Sequence, residues 1–206
     1  MKTLQQIHDE IGGMDRGKDQ HDYLRHYEKL FEPIRHKPIR FLEIGVEFGL
    51  SARMWTEYFP NAEIHGVDIT DHNVRMPRFT FHQLDQRSLK EWITFLDRND
   101  GRWDVIIDDG CHHTSGIATS FGILWHRLAS LGVYCVEDLM CGYHASCDEP
   151  GWPRQVEWLK SLVDEMNAQT KYVNTPEKRV FPNPVSDAWG IESITFSEEL
   201  CIIRKK

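Results

Sequence analysis

No apolar run in this chain of 206 residues approaches the roughly 20 needed to span a bilayer. The opening MKTLQQIHDEIGG also lacks the apolar core of a secretory signal. A cytoplasmic protein that neither crosses nor binds a membrane is the expectation. Positive charge is scarce as well: 24 Lys and Arg stand against 32 Asp and Glu, for a formal net charge of -8 at pH 7. Nucleic acid and anionic lipid select basic faces, so neither is an expected partner, and a small neutral or cationic ligand fits better. The five cysteines, Cys111, Cys135, Cys141, Cys147 and Cys201, are odd in number and contain no C-x-x-C pair. That excludes a disulfide framework and a zinc ribbon and leaves free thiols. Repeats, low-complexity tracts and long linkers are missing too, and the length suits one α/β domain with its own core.

What is present is an alternation. Strand-like runs at 40–46, 63–69, 78–85, 103–109 and 132–138 are separated by helical patterns at 51–59, 88–96 and 119–129. In the first of these helices Ala52, Trp55 and Phe59 share one face. This rhythm predicts βαβ units and a mostly parallel sheet with helices on both faces. A helix is expected around 154–168. Two further strands, 191–196 and 200–204, are joined so tightly that they must pair antiparallel. The single domain therefore divides into an N-terminal helical cap (1–36), a cofactor-binding core (37–138), acceptor loops with a helix (139–190) and a C-terminal hairpin (191–206).

The stretch LEIGVEFGLS runs from strand through a glycine-bearing turn into a helix. Gly45 and Gly49 would let backbone approach a ligand, and the helix start offers unpaired N–H groups, with Ser51 just inside it. The spacing is E-x-G-x-x-x-G, not the G-x-G-x-x-G of a nicotinamide pyrophosphate site, and Glu43 would repel a phosphate while welcoming a cation. Asp68 ends the second strand, where it can take the hydroxyls of a ribose, and Asp85 ends the third. Each acid alone reads equally as a helix cap. Together they converge, because ligands of open α/β sheets bind outside the carboxyl ends of the strands. The set resembles the motifs of class I S-adenosylmethionine-dependent methyltransferases. Their fold implies a Rossmann-like, seven-stranded, mostly parallel sheet with an antiparallel C-terminal hairpin. The resemblance implies that Glu43, Gly45, Gly49 and Ser51 hold the methionine part, Asp68 the ribose and Asp85 the adenine, with Asp108 also on the cofactor side.

Strands four and five both end in paired acids, Asp108–Asp109 and Glu137–Asp138. Neighbouring strands lie about 4.8 Å apart, so these carboxylates need protons or a cation. Oxygen ligands suit magnesium or a similar hard ion; pairing with Arg127 or Arg154 is the alternative. The segments DDGCHHTSG and GVYCVEDL are similar to the D-D-G-S-H-H and V-x-E-D segments of metal-dependent sugar O-methyltransferases, which act on macrolide deoxysugars and methylmannose polysaccharide precursors. GGMDRGKDQHDYLRHYE resembles that family's D-K-x-x-H-x-Y-x-x-x-Y-E stretch, with Arg16 where lysine is usual and an extra residue or two before His21. The resemblance implies S-adenosylmethionine and Mg2+ as cofactors, Asp109, Glu137 and Asp138 as metal ligands, and His112 as the base, with His113 and His144 as rivals. It implies a sugar or glycoside acceptor; the short chain leans towards the methylmannose type. Tyr143, Trp152, Phe181 and Trp189 are candidates to stack on a sugar ring, or else core. A catechol O-methyltransferase and a non-catalytic cofactor-binding module remain alternatives, and homo-oligomerisation is left open.

Overall fold

Five short strands, the central ones buried along most of their length, pair side by side, and the order in which they pair sets the position of everything else. The structure, a computed structural model, describes residues 1–12, 18, 21–168 and 190–206. Strands β1 (Arg40–Ile44), β2 (Glu63–Asp68), β3 (Phe79–Gln83), β4 (Trp103–Asp108), β5 (Leu128–Val136), β6 (Ile191–Ser197) and β7 (Leu200–Lys205) form one sheet in the order β3-β2-β1-β4-β5-β7-β6. The first five are parallel, and β7 runs antiparallel to both β5 and β6. This is the expected class I methyltransferase topology. The chain leaves β1 in one direction to build β2 and β3 and returns to the other side for β4 and β5, so a crevice opens between β1 and β4 at their carboxyl ends.

Successive strand residues point to opposite faces, and each face has its own core. On one face Leu42, Ile106, Tyr134 and Trp103 pack with residues of α4 (Leu89–Arg98), α5 (Thr114–Leu124) and α6 (Gln155–Ala168). On the other, Phe41, Val105, Ile107, Val133 and Cys135 pack with α1 (Leu4–Glu10), α2 (Tyr23–Phe31) and α3 (Leu50–Tyr58). The N-terminal helices are thus part of the core: Tyr23, Tyr27, Phe31 and Trp55 are buried in one aromatic cluster, with the Tyr27 and Phe31 rings stacked at 5.3 Å. No helix among the described residues is long and apolar enough to cross a membrane.

One helix differs from its expected bounds. The pattern predicted helix over 119–129, whereas α5 begins at Thr114 and ends at Leu124, a short 3-10 turn follows, and β5 starts at Leu128. Phe121, Leu124, Trp125 and Leu128 keep helical spacing and share one core, so periodicity alone runs past the point where the chain turns into strand. The early start has a tertiary cause: Ser115 N donates to Glu149 Oε2 at 2.9 Å, a cap supplied from a distant loop.

At the far edge of the sheet His65 Nδ1 lies 2.9 Å from His82 Nε2, and the rings stack at 5.2 Å. Burial, and then the neighbouring His65, push the His82 pKa down to about 4. A histidine held neutral in the fold takes up its proton on unfolding, so its contribution is present above the ordinary value of about 6.5 and is lost as pH falls towards 4. Urea midpoints measured across this window should show a stability loss on acidification that is shallower in His82→Gln than in the parent; identical pH profiles would contradict this.

Candidate active site

The turn after β1 is built by close backbone approach. Gly45 has φ +88, and a Cβ there would stand 1.9 Å from the Asp109 carbonyl oxygen, so no side chain is accommodated. Asp68, at the end of β2, accepts from Val46 N and Glu47 N, each at 2.9 Å, and from Thr70 N at 3.0 Å, which moulds the turn around its carboxylate. Asp85 accepts from Arg87 N at 2.9 Å, and this bond, with the Arg87 guanidinium, holds its carboxyl below the usual range. A cleft of about 600 Å³ opens here. Of the residues singled out by sequence, Gly45, Ser51, Asp68, Asp85, Asp109, His112, Glu137 and Asp138 line it. Glu43, Gly49, Asp108 and His144 do not.

Strand alternation explains the split among the acids. Asp108 falls on the α5 face, where it is buried and accepts from Gln86 Nε2, Ser120 Oγ and Tyr134 OH, all at 2.7 Å. Burial raises its pKa, and these three donors oppose the rise. Gln86 carries the bond onward, since its Oε1 accepts from Cys111 N at 2.8 Å and so ties the turn after β4 to the buried carboxylate. Glu43 falls on the opposite face, fully buried, accepting from Ser51 Oγ at 2.9 Å and Trp55 Nε1 at 3.0 Å. Burial lifts its pKa to about 7 against the pull of Lys18. Both acids brace the cleft from beneath.

Asp109 and Glu137 share the Glu43 face, and there they meet Lys18, which sequence reasoning passed over. Its Nζ lies 2.9 Å from Asp109 Oδ2, 2.9 Å from both Glu137 oxygens and 3.6 Å from Glu43 Oε1, and the side chain is 1% exposed. Tyr27 OH donates to Glu137 Oε1 at 2.6 Å, and Tyr23 OH to Asp138 Oδ1 at 3.0 Å. His21 pairs with Glu199, and Glu28 Oε2 accepts from Leu4 N. The signal was legible: counted back from His21, Lys18, Tyr23, Tyr27 and Glu28 meet K-x-x-H-x-Y-x-x-x-Y-E with no extra residue. The lysine of the pattern is therefore Lys18, and Arg16 lies outside the described residues. Glu137 has its pKa raised by burial, with Lys18 the chief opposing influence.

His112 sits in a left-handed turn, φ 52, with its Nε2 3.6 Å from Asp138 Oδ2. Gln155 Nε2 donates to its carbonyl, and Thr114 Oγ1 donates to Pro153 O at 2.8 Å, so the loop after β5 clasps the histidine turn. Among the described residues one group of potential metal-binding side chains gathers within 4.8 Å, and it is His112, Asp138 and Cys141. His144 is exposed, and the His113 Nδ1 atom is buried without a hydrogen-bond partner. The arginines considered as partners go elsewhere: Arg127 pairs with Asp100 at 3.0 Å and Arg154 lies over the Tyr143 ring at 5.1 Å. Tyr143 and Trp152 are exposed, while Phe181 and Trp189 lie outside the described residues. The five cysteines are free.

No family model matches the chain. Among curated proteins it is 33% identical over 162 residues to mycinamicin VI 2''-O-methyltransferase of Micromonospora griseorubida, covering 72% of this chain and 40% of that protein. It is 31% identical over 200 residues to the 8-demethyl-8-alpha-L-rhamnosyl tetracenomycin-C 2'-O-methyltransferase of Streptomyces olivaceus, covering 90% of this chain and 50% of that protein. The chain thus spans half or less of the length of these relatives. Among solved structures, the MycE methyltransferase from the mycinamycin biosynthetic pathway, in complex with Mg and SAH, matches with a TM-score of 0.84 at 27% identity, over 99% of this chain and 54% of that one.

Removing one donor from a buried carboxylate leaves it under-satisfied, at a cost of roughly 1 to 3 kcal/mol. Tyr134→Phe should lower the unfolding free energy by that margin, seen as a lower urea midpoint with an unchanged m-value; an unshifted midpoint would show that Asp108 does not depend on this bond.

Proposed function

We propose that this chain, which belongs with the class I methyltransferases related to the macrolide and rhamnosyl O-methyltransferases, transfers methyl from S-adenosylmethionine to a hydroxyl of a glycoside in the cytoplasm. The observation that carries the reading is the convergence of Asp68, Asp85, Asp109, His112 and Asp138 on one cleft of about 600 Å³. That volume is within the range of small-molecule sites, and the wall is acidic, as suits a ligand with a sulfonium and an ammonium and no phosphate. Asp109, Glu137 and Asp138 all line the cleft and would offer oxygen donors to a hard divalent ion; Lys18 bridges the first two, and the group of potential ligands that already stands within 4.8 Å among the described residues is His112, Asp138 and Cys141. When bound, the cofactor supplies the methyl group on a sulfonium, and the ion supplies Lewis acidity that makes an alcohol easier to deprotonate.

The chain's own residues do the rest. Asp68 keeps lone pairs beyond those used by the backbone N–H groups and takes the ribose hydroxyls. Gly45 and Ser51 hold the methionine part, with Glu43 fixing Ser51 and Gly49 shaping the turn. Asp85 serves the adenine side, and Asp108 positions the Asp109–His112 turn through Gln86. His112 accepts the proton of the acceptor hydroxyl, its backbone held by Gln155 and its ring facing Asp138. Tyr143 and Trp152 are exposed outside the lining of the cleft, so a role in stacking on the acceptor ring would need the acceptor to extend beyond it. The names of the relatives, which include L-olivosyl, mycinamicin and rhamnosyl acceptors, favour a glycoside of that kind over the methylmannose type.

Asp68→Ala should weaken cofactor binding by calorimetry about 5- to 150-fold, the equivalent of roughly 1 to 3 kcal/mol. His112→Ala should lower transfer of labelled methyl to a rhamnoside by about 10²- to 10⁴-fold while cofactor affinity stays near that of the parent. Methylation of a diphenol but of no glycoside would replace the sugar reading with a catechol one. Full activity in His112→Ala with a dead His144→Ala would move the base to the loop after β5.

A further inference from the structure

We propose that the ammonium of Lys18 and the divalent ion compete for the same two carboxylates, Asp109 and Glu137, so that loading the metal displaces Lys18. The idea rests on the metal of the functional reading and goes beyond it, because it gives the site a second, built-in cation.

Lys18 Nζ is 2.9 Å from Asp109 Oδ2 and from both oxygens of Glu137, distances proper to an ammonium. On Glu137 the ammonium takes a lone pair of each oxygen and Tyr27 OH a second on Oε1, so a magnesium ion, which draws its oxygens in to about 2.0 to 2.1 Å, would need electron pairs that Lys18 occupies. Two cations drawing on the same oxygens also repel each other strongly in a buried setting, where charges are poorly screened. The ion and the lysine therefore exclude one another at these two residues. Asp138 is independent of the contest: Tyr23 OH holds its Oδ1 at 3.0 Å and its Oδ2 faces His112. Glu137 is steadied in either state by Tyr27 OH at 2.6 Å on Oε1. An incoming ion can thus be caught first by Asp138 and completed by Asp109 and Glu137 only as Lys18 withdraws. In the absence of metal, Lys18 keeps three buried or half-buried carboxylates from standing uncompensated, which would be costly.

Two measurements on the full chain test this without cofactor or acceptor. Titration with Mn2+, followed by the electron paramagnetic resonance signal of the free ion, should show binding about tenfold or more tighter in Lys18→Met than in the parent, because the competing charge is gone. Since that variant can fail to fold, the parent is also labelled with an amine-acylating reagent and mapped by mass spectrometry. Lys18, 1% exposed, should be protected without metal and become reactive at saturating Mg2+. Equal or weaker Mn2+ binding in folded Lys18→Met, Lys18 protection indifferent to Mg2+, or a parent that binds no Mn2+ would each overturn the proposal. Failure of the methyltransferase reading is seen separately, as absence of S-adenosylhomocysteine binding by calorimetry.

Discussion

Carboxylates gathered at the carboxyl ends of adjacent parallel strands must be neutralised, and the rest of this structure is arranged around that requirement. Glu43, Asp109 and Glu137 leave β1, β4 and β5 on one face of the sheet, close enough for a single ammonium to reach all three. Buried carboxylates without donors or cations would cost several kcal/mol each. The fold answers with Lys18, Tyr27 and Trp55 on that face and with Gln86, Ser120 and Tyr134 around Asp108 on the other. Because these partners come from α2, α3, α5 and the residues around them, the cleft cannot be altered without touching both cores.

This explains why the N-terminal helices pack so tightly. Tyr23 and Tyr27 belong to an aromatic cluster with Phe31 and Trp55, and their hydroxyls emerge at its edge against Asp138 and Glu137. The apolar bodies anchor the helix while the polar tips satisfy the acids, the double use for which tyrosine is suited. On the far side of the cleft the loop from Glu149 to Gln155 performs a similar service for the helix start at Thr114 and for the carbonyl of His112.

The fold was legible because its signals are local and periodic: β-branched and aromatic runs of the right length, glycine at Gly45, and a hairpin too short to be anything else. The late boundary of α5 was misread because Leu128 serves the same core from a strand that it would have served from a helix. In the site, the acids were legible as a set, but not which face each would take. Two adjacent aspartates look equivalent in a string of letters, yet alternation sends Asp108 inward to Tyr134 and Asp109 to the cleft. Lys18 was missed because a lysine in a polar segment is normally solvated; only its spacing from His21, Tyr23 and Tyr27 distinguished it.

The central claim is that the crevice at the carboxyl ends of β1 to β4 is the cofactor site. A crystal structure of the chain with S-adenosylhomocysteine tests it most directly. The account predicts ribose hydroxyls within hydrogen-bond distance of Asp68 and the adenine beside Asp85. A ligand bound elsewhere, or one in the cleft whose ribose leaves Asp68 untouched, would contradict it.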